Sequence, residues 1–261
     1  MTSILRPTPA QKTRRLLVLI AAIAAVAIGY SQTALGWGQS PAEFSADSDA
    51  TLKVAGYAFS IWGVIYGWLL IHAVRQVLPA TGESPLLNRL GWPSFAALVG
   101  IGLWVVAAAF DQEAATIGLI FASLLVLLIP LLMNARTIRS LDRSDRDRWM
   151  TVWPLAMLAG WLSIAAPVNL ITVVTGNGDL AEILSPSAWA IAAVAVVAAI
   201  AILVTARLRL MAFSIPVAWG LAGVFVAEQS RNPTLAVVAA GAAVAVLAAA
   251  VVLVWKARAL R

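Results

Sequence analysis

The chain has 261 residues, of which 62% are hydrophobic and only 11% charged, with a mean hydropathy of +0.91. No water-soluble protein with a core and a polar surface sustains such values, so the composition is that of an integral membrane protein. There is no cysteine and a single histidine, His72, which excludes disulfides, thiolate redox chemistry and a metal site built on Cys or paired His.

Apolar stretches long enough to cross a hydrocarbon core, about 18 residues or more, recur along the whole length. They predict an all-α, polytopic bundle of about eight spans in a single membrane domain over 1–261. The spans fall at roughly 16–35, 54–78, 92–110, 114–133, 150–174, 187–206, 210–228 and 234–255. The first follows a basic segment and has a small-residue stretch, "SQTALG", behind it, as a signal peptide does. Its apolar run is long for that, and removing it would set the basic loops against one another, so we expect it to be retained.

The charges sort by loop. With a cytoplasmic amino terminus, sixteen of the eighteen basic residues lie inside and only Lys53 and Arg231 outside. Eight of the twelve acids, Glu43, Asp47, Asp49, Asp111, Glu113, Asp179, Glu182 and Glu228, lie outside. By the positive-inside rule both termini are cytoplasmic, in what we expect to be a bacterial inner membrane. The net charge of +6 is therefore spent on topology and not gathered on one face, which excludes nucleic acid as a partner. Between the first two spans, 36–53 reads as an irregular outside loop folded over helix ends. The Arg- and Asp-rich 134–149 reads as a solvated helical extension with internal ion pairs, a headgroup- or partner-docking role being the alternative.

The second span, "VAGYAFSIWGVIYGWLLIHAVRQ", is the most aromatic. At 3.6 residues per turn, Gly56, Ser60, Gly63 and Gly67 share a narrow arc suited to close contact with another helix. Phe59, Trp62 and Tyr66 form a stripe about 90° away. Alternating span direction places Tyr57, Phe59 and Trp62 in the same membrane layer as Trp104, Trp161, Asn169 and Trp219. Two readings stay open for this set: the rings pack helix on helix, or they wall a pocket that Asn169 makes partly polar. No span carries an acid deep inside and no glycine loop cradles phosphate, so neither an enzyme nor an ion-coupled pump is expected. His72, near the cytoplasmic end of its span, reads as an interfacial histidine facing headgroups.

Two motifs resemble a known family. "AGYAFSIWGVIY", with its Trp62 to Tyr66 step, is similar to the first core helix of the tryptophan-rich sensory protein or translocator protein (TspO/MBR) family, in a longer bacterial branch with an extra amino-terminal helix. "GWLSIAAPVN" resembles its last core helix through the spacing Trp161, Ala165, Asn169, and Trp104 resembles the tryptophan of its third helix. On this reading 1–53 is an extra helix and loop, 54–174 the family-like core, and 175–261 additional helices. Short members have five core helices, whereas 54–174 holds four spans, so one is missing or replaced by a later span. The Pro-Tyr pair before the last-helix tryptophan and the asparagine before the third-helix tryptophan are absent.

The resemblance implies a non-enzymatic receptor or carrier with a regulatory, stress- or pigment-related role, requiring no cofactor. Its ligand would be a tetrapyrrole of the porphyrin type, a sterol-like lipid or another flat hydrophobic molecule, held by Trp62, Tyr66, Trp104, Trp161, Ala165 and Asn169. Tyr57 and Phe59 join that set by their place in the membrane layer. A homodimer is also implied. The alternatives are an accessory subunit docked into a larger membrane complex, favoured by the Ala-rich sixth and eighth spans, and a small-solute transporter.

Overall fold

The computed structural model describes residues 6–46 and 51–259; Asp47, Asp49 and Arg261, used above in assigning topology, lie outside the described residues. The helices are α1 (Pro9–Leu35), α2 (Pro41–Ala46), α3 (Ile61–Val77), α4 (Pro85–Ala109), α5 (Glu113–Met133), α6 (Ala135–Ser140), α7 (Trp153–Gly176), α8 (Pro186–Leu208), α9 (Met211–Glu228) and α10 (Pro233–Ala259). A 3-10 turn, Gly56–Ser60, leads into α3, and a π turn, Arg148–Val152, leads into α7. Among the described residues there is no strand, and eight helices are long and apolar enough to span a membrane.

Several of these helices start ahead of their apolar runs because the start is set by chemistry, not by hydropathy. Thr8, Ser84, Ser185 and Asn232 each accept a backbone N–H three residues on, and each is followed by proline. A side-chain cap satisfies a donor that the helix leaves orphaned, and proline at the first position has no N–H to satisfy. Hence α1 and α4 begin at Pro9 and Pro85 instead of at 16 and 92.

Five helices close a ring: α1 packs on α3 and α4, α4 on α5, α5 on α7, and α7 on α3. The first span, expected as an extra helix ahead of the core, packs on α3 and α4 as part of this ring. The other three form a flank, with α9 against the outer side of α7 and carrying α8 and α10. The flank is tied to the segment entering α3. Ala55 N–H donates to the Gly223 carbonyl at 3.0 Å, Lys53 N–H to the Glu228 carboxylate at 2.8 Å, and the Trp219 indole to the Ala58 carbonyl at 2.8 Å.

At the end of the bundle where α1 starts, Arg14 and Arg15, each only 3% exposed, share the two oxygens of Glu83 at 3.1 and 2.8 Å. Arg15 also donates to the carbonyls of Gln76, Thr81 and Gly82. These contacts fasten α1 to the α3–α4 connection, so two residues of the expected topology signal are structural as well.

Two expectations are corrected, those for His72 and for 134–149, and the small-residue face is located. Gly56, Ser60, Gly63 and Gly67 are exposed, and a Cβ on any of the three glycines would meet nothing within 4 Å, so this face makes no close contact within the chain. His72 is buried: its Nδ1 lies 2.9 Å from the Met150 carbonyl and its Nε2 3.0 Å from the Gln76 amide nitrogen. Only Nδ1–H can donate to a carbonyl, so Nε2 is left to accept from Gln76. The 134–149 segment is not one helical extension. It is the short α6 followed by a turn, and Asp147 pairs with Arg75 of α3 at 2.5 Å.

Candidate ligand cavity

Residues four apart on a helix lie on one face, and α7 uses this to present Trp161, Ala165 and Asn169 to the ring's interior. The 3-10 turn and the first turn of α3 bring Phe59 and Trp62 against them; α4 contributes Trp104 and α5 Ile120. The rings meet edge to face. Trp161 takes the edges of Phe59, with centroids 6.0 Å apart at 82°, and of Trp62, at 6.3 Å and 81°. Such pairs contribute about 0.5–1.5 kcal/mol each beyond their area, and they fix ring orientation.

Between these side chains is a small cavity of about 40 Å³. It is a narrow slot between the rings. It is almost entirely apolar, and Gly220 of α9 completes one wall because a Cβ there would come within 2.8 Å of Ile164.

Asn169 is not free to serve a ligand with its whole amide. Its side-chain oxygen accepts from the Trp104 indole at 3.0 Å, and its nitrogen donates to Thr116 Oγ1 at 3.0 Å, whose hydroxyl donates in turn to the Glu113 carbonyl at 2.6 Å. This relay joins α4, α7 and α5, and it satisfies an indole N–H and an amide that would otherwise be unpaired in an apolar interior. Asn169 therefore positions Trp104.

The slot is closed at the end away from Arg14 by α2, through Pro41, Phe44 and Ser45. Phe44 is buried and sets its ring against Trp104 at 6.2 Å and 86°. The expected cap over the helix ends is thus present, and Pro41–Ala46 within it form a helix where the sequence reads as an irregular loop. Its signal was in the sequence: "SPAE" is a capping box with proline at the first position. Ser40 N–H donates to Glu43 Oε2 at 2.6 Å, and Glu43 N–H to Ser40 Oγ at 3.2 Å. Those bonds hold the exposed Glu43 carboxyl below its ordinary pKa, the Ser40 backbone N–H contributing most.

Of the expected set, Phe59, Trp62, Trp104, Trp161, Ala165 and Asn169 line the cavity. Two do not. Tyr57 is 46% exposed and lays its ring edge-on to Trp219, 5.5 Å away on the outer surface. Tyr66 is buried, stacked on Trp62 at 4.9 Å, and its ring lies against Gly29 of α1, so it backs the wall without reaching the slot. Trp219, placed in the same membrane layer, is likewise outside the wall. The α2 residues, Ser45 above all, were not foreseen. Among the described residues no group of three or more His, Cys, Asp or Glu is arranged to hold a metal.

A family model described as TSPO-like protein matches residues 15–253, well beyond the 54–174 stretch that carries the motifs. No curated protein and no solved structure matches the chain. The match takes in α1 and reaches into α10, in keeping with a first helix that belongs to the ring and a flank that holds the cavity's aromatic turn in place. With more than half of its length matched, this chain belongs to the TSPO-like protein family.

Proposed function

We propose that the protein is a non-enzymatic membrane receptor or carrier that holds a flat hydrophobic ligand, of tetrapyrrole or comparable shape, in the slot beneath α2. The observation that carries this reading is the aromatic cavity itself. Rings already locked edge to face by Phe44, Phe59 and Asn169 offer indole surface for stacking without further ordering cost. Most ligand sites share this form, an apolar concavity with a few polar groups. A ligand as wide as a porphyrin requires α2 to lift, and α2 is a six-residue helix joined by short segments. Tryptophan emission of the purified protein is titrated with the dimethyl ester of protoporphyrin and repeated with Trp161→Ala and Phe44→Ala. Saturable quenching weakened in both variants supports the reading; quenching identical in all three proteins removes the site.

A second reading, a scaffold subunit, is favoured by one observation: the Gly56, Ser60, Gly63, Gly67 face is turned outward, where a neighbouring helix from a second copy or a larger complex can approach closely. In either case we place the basic end of the bundle in the cytoplasm and α2 on the opposite side.

A further inference from the structure

Polar groups in the cavity wall are few. Among the described residues the wall contains no charged side chain at all, and its polar members are Ser45, Asn169 and Thr172. Asn169 is committed to Trp104 and Thr116. Ser45 differs. It is buried, 8% exposed, and its Oγ has no hydrogen-bond partner. A buried hydroxyl without a partner is costly and unusual in a native fold, and it calls for something to complete it. Lys53, the cation beside α2, turns its ammonium to the Ala46 carbonyl at 3.2 Å and does not line the cavity.

An ionised carboxylate entering this slot would lose its water and find no cation, the combination that most strongly opposes burial of a charge. A neutral oxygen would meet the Ser45 hydroxyl, which can both donate and accept. We propose that the cavity selects an electrically neutral, flat apolar molecule bearing a hydroxyl or carbonyl oxygen, with Ser45 of α2 as the residue that receives that oxygen, and that it rejects free carboxylates. The proposal rests on the reading of the slot as a ligand site. It deepens that reading by stating which ligands fail: a porphyrin presenting ionised acid groups to the wall binds poorly, whereas its neutral ester is accepted. It also gives α2 a specific part, since ligand bound through Ser45 holds down the helix that closes the slot.

The test uses three small flat probes of matched shape: pyrenemethanol, methylpyrene and pyrenecarboxylate. Energy transfer from tryptophan to pyrene is measured in the detergent-solubilised full chain near neutral pH, with probe concentrations corrected for partition into protein-free micelles. Trp161→Ala serves as the site control and Ser45→Ala as the test. We expect pyrenemethanol to bind at least about tenfold more tightly than pyrenecarboxylate. Ser45→Ala weakens pyrenemethanol by about threefold to tenfold, the range of one hydrogen bond, and leaves methylpyrene within about twofold. Equal binding of the carboxylate and the alcohol overturns the charge selection. An equal loss for alcohol and methylpyrene in Ser45→Ala overturns the role given to the hydroxyl. Transfer to all three probes that is indifferent to Trp161→Ala sinks the ligand-site reading itself, and the proposal with it.

Discussion

The indole N–H of Trp104 on α4 donates to the side-chain oxygen of Asn169 on α7 at 3.0 Å, and the same amide donates to Thr116 on α5. Three of the five ring helices are thus joined by one side chain beside the cavity. Truncation in Asn169→Ala leaves a buried indole N–H unpaired and removes a donor from Thr116. A loss of about 1–3 kcal/mol is expected for that, read from the unfolding midpoint in mixed detergent. Because Trp104 is also released from its fixed angle, ligand quenching weakens along with stability. Full stability in this variant would show that the relay is dispensable.

Glu83 stands between two arginines, each only 3% exposed. Replacing it in Glu83→Gln keeps the shape but leaves two buried guanidinium groups without a counter-charge. A destabilisation of about 3–5 kcal/mol is expected, since breaking a buried ionic cluster strands its remaining charges. Cysteine crosslinking between α1 and the α3–α4 connection follows the loosening directly. A change below about 1 kcal/mol would mean that Arg14 and Arg15 reach water or lipid phosphate.

Two glycines, one between α7 and α9 and one on the outer face of α3, predict opposite outcomes. At Gly160 a Cβ would fall 2.2 Å from the Phe213 carbonyl oxygen, so Gly160→Ala must push α7 from α9. That costs about 1–3 kcal/mol, as overpacking does. At Gly63 nothing lies within 4 Å, and Gly63→Ala leaves the isolated chain as stable as before, or slightly more so by helix propensity. Thermal unfolding of both variants in detergent checks the contrast. If Gly63→Ala also disrupts an assembly seen in crosslinking, the scaffold reading gains.

Acid loosens α2. The Glu43 carboxyl is held below its ordinary value of 4.5, chiefly by the Ser40 backbone N–H. A depressed folded-state pKa gives stability that is present above the unfolded value and is lost as pH falls through the folded one. Hydrogen exchange at the amides of Phe44 and Ser45 should therefore speed up below about pH 4.5, beyond its intrinsic pH dependence. Glu43→Gln should remove the pH-dependent part. Identical acid profiles in the two proteins would detach α2 from this cap.

Hydropathy alone located all eight spans to within a few residues, except where a cap and proline lengthened α1 and α4. The spaced motifs on α3, α4 and α7, with Phe59 added by its membrane layer, name six residues that line the cavity. The errors share a form. Tyr57 and Tyr66 lie on the same helical segment as Phe59 and Trp62 and have the same chemistry, yet one faces outward and the other packs on α1. Ser45 belonged to a stretch read as a loop, and only its three-dimensional place over Trp104 and Trp161 makes its lone hydroxyl meaningful.

By itself the sequence determined the membrane class, the number and order of the spans and the distribution of charge among the loops. A bilayer forces each crossing segment to satisfy its own backbone, and it leaves that demand visible as long apolar runs. Only the tertiary structure decided which side of each span looks inward. In water, polarity separates the buried face of a helix from the exposed one; in lipid both faces are apolar, and the distinction vanishes from the residue pattern. The Gly56, Ser60, Gly63, Gly67 arc, suited to contact with another helix, turns outward from this chain, while α1, expected as an extra helix, packs on α3 and α4.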